Sequence, residues 1–322
     1  MAELAPDNVR PRRDIQDCLR EWLMTRPFIG LQLFPIFPVQ EKTGTYPMIP
    51  VESMLKLPES IERAPTANYG RIDWNWESDN YACKEYGVEQ PASAVQQAEA
   101  ESFFDLEEEA GRTVSDIVLR MQEQRILAQC QVAANWGNSG PVAAAWDVPA
   151  AGVPITDVHA ARLVILRATG LLPDTLVVGR DTFQWFTLND QITDRIQYTY
   201  PGMDRGDYTA ELIAKMLGLR QVLVADAVYD TTDEGQTSSI DTFWNDDFAF
   251  LCKVATDPSR LREPCIGRTF LWEKDSPENL VFESYAEPQT RSEIVRARHH
   301  TDEEIVLANC GYLFTGCNTA DD

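Results

Sequence analysis

Alternating helix and strand patterns between residues 160 and 229 constrain the fold more than any other feature of the chain. A helical pattern ends at Gly170, Pro173-Asp174 turns the chain, and an apolar run covers residues 175–178. A short apolar run bounded by turn residues reads as a buried strand. Gly179 breaks it. A second helix carries Phe183, Trp185, Phe186 and Leu188, a third opens at Asp190, and a second apolar run at 221–224 closes the unit. Helices alternating with strands at this spacing predict a mixed sheet with helices packed on it. No nucleophile, metal cluster or phosphate loop falls inside the unit.

The rest of the chain is equally poor in reaction chemistry. It has no GxxxxGK[ST], no GxGxxG after a strand, no HExxH and no GxSxG. Asp246-Asp247 and Glu303-Glu304 are candidates for acid–base or metal chemistry, but neighbours on a strand point to opposite faces, so neither pair makes a site. Seven cysteines are scattered without a CxxC pair, the pattern of reduced thiols rather than a disulfide framework. His299-His300 lacks the second pair a zinc site needs and is expected at a hairpin turn. No cofactor and no metal is expected. With 28 Lys+Arg against 51 Asp+Glu the formal charge is −23, which excludes nucleic-acid binding through a general basic surface. No secretory signal and no apolar run of about 18 residues occurs, so a soluble chain is expected.

From the N-terminus, residues 1–35 read as an arm. Arg10, Arg12 and Arg13 make it locally basic, and residues 15–24 carry an amphipathic pattern including Trp22. The following stretch, with Phe34 and Phe37, is too rich in proline for a helix or a central strand, and its large apolar side chains need a surface, expected to be another subunit. Residues 36–92 read as an extended two-armed loop with a tip around Ile61 and Arg63. Its returning arm alternates from Tyr69 to Tyr86, with Ile72, Trp74 and Trp76 on one face. Residues 94–134 then read as one long helix. Phe103, Leu106, Ala110, Val114, Ile117, Met121, Ala128 and Val132 form its expected buried stripe, with Glu108, Arg112, Arg120 and Arg125 on the other face. Thr156 is the expected cap of the next helix. Short strand patterns cover 269–272 and 280–285, followed by a long hairpin with arms at 292–299 and 303–315.

This order of parts resembles the major capsid proteins of tailed bacteriophages, those with the Hong Kong 97-type fold. The likeness rests on Ala-Thr-Gly before Pro-Asp-Thr-Leu-Val-Val-Gly at 173–179 and on Gln-Val-Leu-Val-Ala-Asp-Ala-Val-Tyr at 221–229. Leu33-Phe34-Pro35 with Gly44-Thr45-Tyr46-Pro47, Tyr81 to Tyr86, Asp105-Leu106-Glu107, Arg291 to Val295 and Gly311 to Phe314 add to it. The resemblance implies an α+β fold in five parts: an N-terminal arm (1–35), an extended loop (36–92), a P-domain with a spine helix (93–152), an A-domain (153–265) and late strands completing the P-domain (266–322). It implies self-assembly into hexamers and pentamers of an icosahedral head, not enzymatic activity. Implied partners are other copies, a portal protein, separate scaffolding and decoration proteins, and packaged double-stranded DNA held by weak non-specific contact, with no membrane. The implied location is the virion, after assembly in the host cytoplasm. No fused scaffold and no cleavage are expected. Inter-subunit contact candidates are Trp22, Phe34, Phe37, Ile61, Arg63, Trp74 and Trp76. An encapsulin-type compartment resembles the same fold, and an acidic α/β enzyme is the remaining alternative.

Overall fold

The computed structural model describes residues 28–48, 55–58, 61–63, 68–72, 76–100, 105–199, 202, 208–232, 235–257 and 259–319, together with the backbone of 10–11. Two sheets organise it. The larger contains β1 (Arg10–Pro11), β2 (Ile36–Val39), β5 (Lys84–Ser93), β12 (Gly267–Trp272), β13 (Val281–Glu287) and β14 (Ser292–Ile305), while β3 (Thr43–Met48) and β4 (Glu77–Ala82) form a hairpin beside it. β14 is the centre. One edge pairs with β13 and then β12, and the other pairs with β5 from Ser292 to Thr301. β2 closes the sheet as a parallel edge strand on β12, which accommodates Pro38.

The expected turn at His300 is absent. His299 and His300 lie inside β14, buried, because the strand runs on through the doublet in pairing with β5, while its other edge passes from β13, whose pairing ends at Arg298, to β12, whose pairing begins at Thr301. A polar pair reads as a turn only when nothing is known of what flanks it.

The smaller sheet has the order β6 (Ser139–Pro141), β15 (Gly311–Thr315), β11 (Ala249–Cys252), β7 (Thr175–Gly179), β8 (Gln221–Ala225). β7 and β8 run parallel and β11 antiparallel, the mixed sheet that the alternating patterns predict. Residues 311–315, expected among the late strands of the P-domain, pair with β11 instead, so the chain's end is built into this second sheet. A small hairpin, β9 (Val228–Asp230) with β10 (Ile240–Thr242), projects from it.

A one-turn helix, α1 (Gly30–Leu33), precedes β2, contrary to the proline-based expectation of no helix. The expected single helix over 94–134 is described as α2 (Ala94–Ala100) and α3 (Leu106–Cys130). Asp105 caps α3 by accepting from the Glu107 and Glu108 amides, and Glu107, Glu108 and Glu109 sit favourably on its first turn. α4 (Pro154–Thr169) starts on Pro154, not on a Thr156 cap. A proline loses nothing at this position, because its missing N–H would have no helical partner. Gly170, at φ 71°, ends the helix in the left-handed conformation that a side chain disfavours. α5 (Arg180–Leu188), α6 (Asp190–Thr199) and α7 (Ala210–Leu217) complete the α/β unit. Its core gathers Ile155, Val158, Ile165, Leu176, Phe186, Ile192 and Ile213 around Trp146.

The long helix turns a different face to the core from the one its apolar spacing indicates. Ala110 and Val114 are buried as expected, but Ile117, Met121, Ala128 and Val132 are exposed, Leu106 is only half-buried, and Phe103 lies outside the described residues. The buried face runs instead through Ser115, Val118, Leu119, Gln122, Glu123, Ile126, Leu127 and Cys130. Val114, Val118 and Leu119 pack with Leu280, Phe282 and Ala297 above the larger sheet. Ile126, Leu127 and Cys130 meet Leu33, Phe34, Trp244, Phe250 and Leu313 where the two sheets join. Three hydrogen-bonding residues on the buried face, Ser115, Gln122 and Glu123, break its apolar pattern, and the leftover apolar residues fall outside.

Candidate assembly surfaces

A buried carboxylate ties three parts of the chain together. Glu123 of α3 accepts from the Gly30 amide at 2.6 Å, the Ile29 amide at 3.3 Å and the Trp244 indole N–H at 2.8 Å. The end of the arm, the spine helix and the loop before β11 therefore share one acceptor. Burial raises the Glu123 carboxyl above its usual value, while the three donors pull it back. Gly30 is required by this approach, because a Cβ there would lie 2.5 Å from Glu123 Oε2. Gly267 serves the same end nearby: a Cβ on it would lie 2.5 Å from the Phe34 ring.

Lower on the same helix Arg125 reaches β14, although its place on the charged face pointed to solvent. Its guanidinium holds Glu303 through Nε–Oε2 at 2.8 Å and Nη2–Oε1 at 2.9 Å, and lies 3.7 Å from the Tyr86 ring centroid. His299 Nε2 accepts from Arg125 at 3.1 Å, which fixes the ring as neutral; burial, then the Arg125 charge, lowers its pKa to about 4. Burial pushes the Glu303 carboxyl up, but the hydrogen bonds and charge of Arg125 outweigh it and hold it below the usual range. Arg125→Ala strands a carboxylate that is only 4% exposed. We expect a loss of about 3–5 kcal/mol in urea unfolding of the dissociated subunit at neutral pH. A depressed carboxylate contributes fully above its unfolded value, and the contribution is lost as pH falls through the folded one. The difference between wild type and variant should therefore shrink below about pH 4. An equal difference at pH 7 and pH 3 would contradict this.

The extended loop leaves the larger sheet through the β3–β4 hairpin, whose register sets Tyr46 opposite Asp79 and Gly44 opposite Tyr81. Tyr81 stacks on Phe270 of β12 at 4.9 Å and Tyr46 packs on the same ring at 5.0 Å, so two aromatics fasten the hairpin to the sheet. Beyond this root the described large apolar residues of the loop are exposed. Ile61 is 90% exposed and Trp76 70%, with Leu55, Leu57, Tyr69 and Ile72 also open to solvent. Arg63 lies over the Tyr69 ring at 4.5 Å. Trp76 precedes the strand, which begins at Glu77, so the alternation from Tyr69 overstated its length.

The remaining contact candidates divide. Phe34 is fully buried inside its own chain and offers no side chain to a neighbour, which corrects the expectation that this stretch needs another subunit to cover it. Its proline-interrupted sequence gave no hint that it passes beneath the spine helix. Phe37 is half-buried against Phe270, edge to face at 6.0 Å. Trp22 and Trp74 lie outside the described residues. The structure adds exposed apolar groups absent from the expected set: Leu163 on α4, Leu172 in the loop after it, Tyr198 at the end of α6, and Val228 with Ile240 on the projecting hairpin.

Among the described residues no group of three or more His, Cys, Asp or Glu is arranged to hold a metal ion. The six described cysteines are free and buried, with burial raising Cys83 to about 12. Asp246 is buried beneath α5 and Asp247 accepts a backbone bond from Cys317, so this doublet, like Glu303-Glu304, forms no paired site. Among the described residues no helix is long and apolar enough to cross a membrane.

The whole arrangement has counterparts among solved structures. A phage-related protein from Bordetella bronchiseptica RB50 superposes with a TM-score of 0.72 over 96% of this chain and 98% of its own, at 21% identity. The capsid structure of cyanophage P-SCSP1u gives 0.59 over 89% and 87%, at 11% identity. A virus-like particle from Pyrococcus furiosus gives 0.59 over 94% and 98%, at 7% identity. The fold is the Hong Kong 97-type capsid fold. It is α+β, as the resemblance implies. Likeness at such identities establishes the fold alone. Among curated proteins, a major capsid protein of Burkholderia phage BcepMu is 25% identical over 298 residues, covering 90% of this chain and 92% of its own. No family model matches. The sequence relationship and the fold agree, and together they support a capsid shell protein of the tailed-phage kind.

Proposed function

We propose that the chain is the major capsid protein of a tailed phage, building hexamers and pentamers of an icosahedral head around double-stranded DNA. The spine helix on the larger sheet forms a rigid plate. The α/β unit meets its copies around the five- and six-fold axes, the extended loop lies over an adjacent subunit, and the arm reaches a further one. Contacts of this heterologous kind close a shell when their rotations close. The observation that carries the reading is the loop: six large apolar residues stand exposed beyond a root fastened to the plate by Tyr46 and Tyr81. Such an outcrop on a chain of charge −23 marks an interaction surface.

A portal protein, separate scaffolding and decoration proteins and weakly held DNA are the further partners in this reading, with assembly in the host cytoplasm and residence in the virion. The role in this reading is structural rather than enzymatic. An encapsulin-type compartment shares the fold, but the sequence relationship to a phage major capsid protein over nine-tenths of the chain favours the phage head.

The loop tests the reading. Ile61→Asp with Trp76→Ala changes only exposed side chains, so the subunit should keep its unfolding midpoint while particle yield falls at least tenfold, scored by sedimentation. Wild-type yield from the double variant would remove the loop from the assembly interface.

A further inference from the structure

The β9–β10 hairpin is held rigid at both ends and presents an aliphatic side chain to solvent. A two-stranded ribbon is marginal on its own. Here Phe243 anchors the base. Its amide donates to the Ala227 carbonyl at 2.9 Å, and its ring stacks on Tyr229 at 4.5 Å and packs on the core where the two sheets join. Asp230 holds the other end. Its carboxylate accepts from the Thr232 amide at 3.0 Å, the Thr232 hydroxyl at 2.6 Å, the Ser238 hydroxyl at 2.6 Å and the Ser239 amide at 3.2 Å. The register sets Ile240 opposite Asp230 and Val228 opposite Thr242, so these four side chains share one face. Ile240 is 70% exposed and Asp230 is exposed beside it. Residues 228–242 carry Asp or Glu at positions 230, 233, 234 and 241, and no lysine or arginine.

The same α/β unit holds a depression of complementary character. It lies between α6 and α7, has a volume of about 210 Å³, and is lined by Arg195, Ile196, Thr199, Leu212, Lys215 and Met216. Ile196 belongs to the α/β core, and Leu212 and Met216 pack on it, so the floor is apolar. The two charged lining residues are both cations, and neither side chain has a hydrogen-bond or ion-pair partner among the described residues. Arg162, whose Nη1 donates to the Leu217 carbonyl at 2.7 Å, brings a third cation to the end of α7. The volume suits one protruding side chain and falls below the roughly 300–1,000 Å³ of small-molecule sites.

We propose that the β9–β10 hairpin of one copy docks on the α6–α7 depression of the next, with Ile240 over Ile196, Leu212 and Met216 and with Asp230 facing Arg195 and Lys215. Ile240 is exposed, so it is not seated in the depression of its own chain. Its face supplies both the aliphatic group and the negative charge that the depression calls for. The proposal rests on the reading of the chain as a self-assembling shell subunit, and it names the residues that would join neighbouring α/β units. Two different patches of one chain make a heterologous contact, which closes into a ring when the rotation closes. A hairpin already ordered by Asp230 and Phe243 loses little freedom on docking. The opposite charges fix the register of the contact and disfavour the other, acidic faces of the subunit.

Crosslinking of the full-length chain reads the contact directly. Ile240→Cys with Met216→Cys, assembled and then oxidised with copper phenanthroline, should give a denaturing-gel ladder that ends at the five- and six-subunit rings, and neither single variant should give one. Charge reversal checks the same contact without new thiols. Ile240→Lys sets a cation against Arg195 and Lys215 and should lower particle yield about tenfold, and Arg195→Glu with Lys215→Glu, set against Asp230, should do the same. The three changes combined bring opposite charges together again and should recover at least half of the loss on a logarithmic scale. All three side chains are exposed, so the unfolding midpoint of the dissociated subunit should not move. Shells without the ladder, or a triple variant no better than its parents, overturn the contact and leave the capsid role standing. Rings crosslinked through this pair that never close into shells support the contact and contradict the shell. A folded monomer with neither ladder nor shells contradicts both.

Discussion

We expect Ile126→Asp to yield no folded subunit, and Ile117→Asp on the same helix to yield a folded one. Ile126 is fully buried where the spine helix meets Leu33, Phe34, Trp244 and Phe250, while Ile117 is 38% exposed. Removing a buried isoleucine side chain costs about 2–5 kcal/mol. A carboxylate in its place adds a buried charge with no partner, which costs several kcal/mol more. The sum consumes most of the roughly 5–15 kcal/mol that holds a domain folded. Soluble yield and the urea midpoint of the dissociated subunit measure both variants. Equal midpoints would mean that the buried face of the helix has been misassigned. Ile117 and Met121 then acquire a different role: exposed on the outer side of a rigid plate, they belong with the loop residues as candidates for contact between subunits.

The second large effect is at the three-way junction. Glu123→Ala leaves the Ile29 and Gly30 amides and the Trp244 indole without their acceptor in a dry interior. Each orphaned donor costs about 1–3 kcal/mol, so a total near 4 kcal/mol is expected, with loss of the arm's docking. Glu123→Gln keeps the shape and one acceptor oxygen and should lose less than half as much. Gly30→Ala should weaken the junction from the other side by forcing Glu123 away. Because the Glu123 carboxyl is raised, wild-type stability from this group is greatest below its unfolded value and declines as pH rises through the folded one, and Glu123→Gln should flatten that decline. Thermal unfolding at pH 5 and pH 8 measures it, and a slope unchanged in the glutamine variant would show that another group titrates.

The α/β unit was legible because its strands are short apolar runs bounded by Gly and Pro-Asp, signals that need no knowledge of distant partners. Gln221–Ala225 and Thr175–Gly179 pair as those runs foretell. The spine helix was legible as a helix and misread as a surface. Gln122 and Glu123 look solvent-facing in sequence, yet their partners Glu303, Asn279 and Trp244 come from residues more than a hundred positions away. Burial of a polar residue depends on such partners, and periodicity carries no trace of them. The same limit explains β14. Its length is set by pairing with β5, β12 and β13, so a His-His-Thr-Asp segment that reads as a turn continues as strand. Phe34 was read correctly as needing cover, but that cover is Gly267 and Ile126 of its own chain. The loop residues Ile61 and Trp76 were legible as large apolar groups on an extended segment, and their exposure is as a contact surface requires.

Cryo-electron microscopy of the expressed full-length chain tests the central claim most directly. The expected result is closed shells with five- and six-fold clusters of this subunit, in which density from an adjacent copy covers Ile61 and Trp76. A homogeneous, folded monomer that forms no shell at any concentration or pH, with those side chains still in solvent, would contradict it.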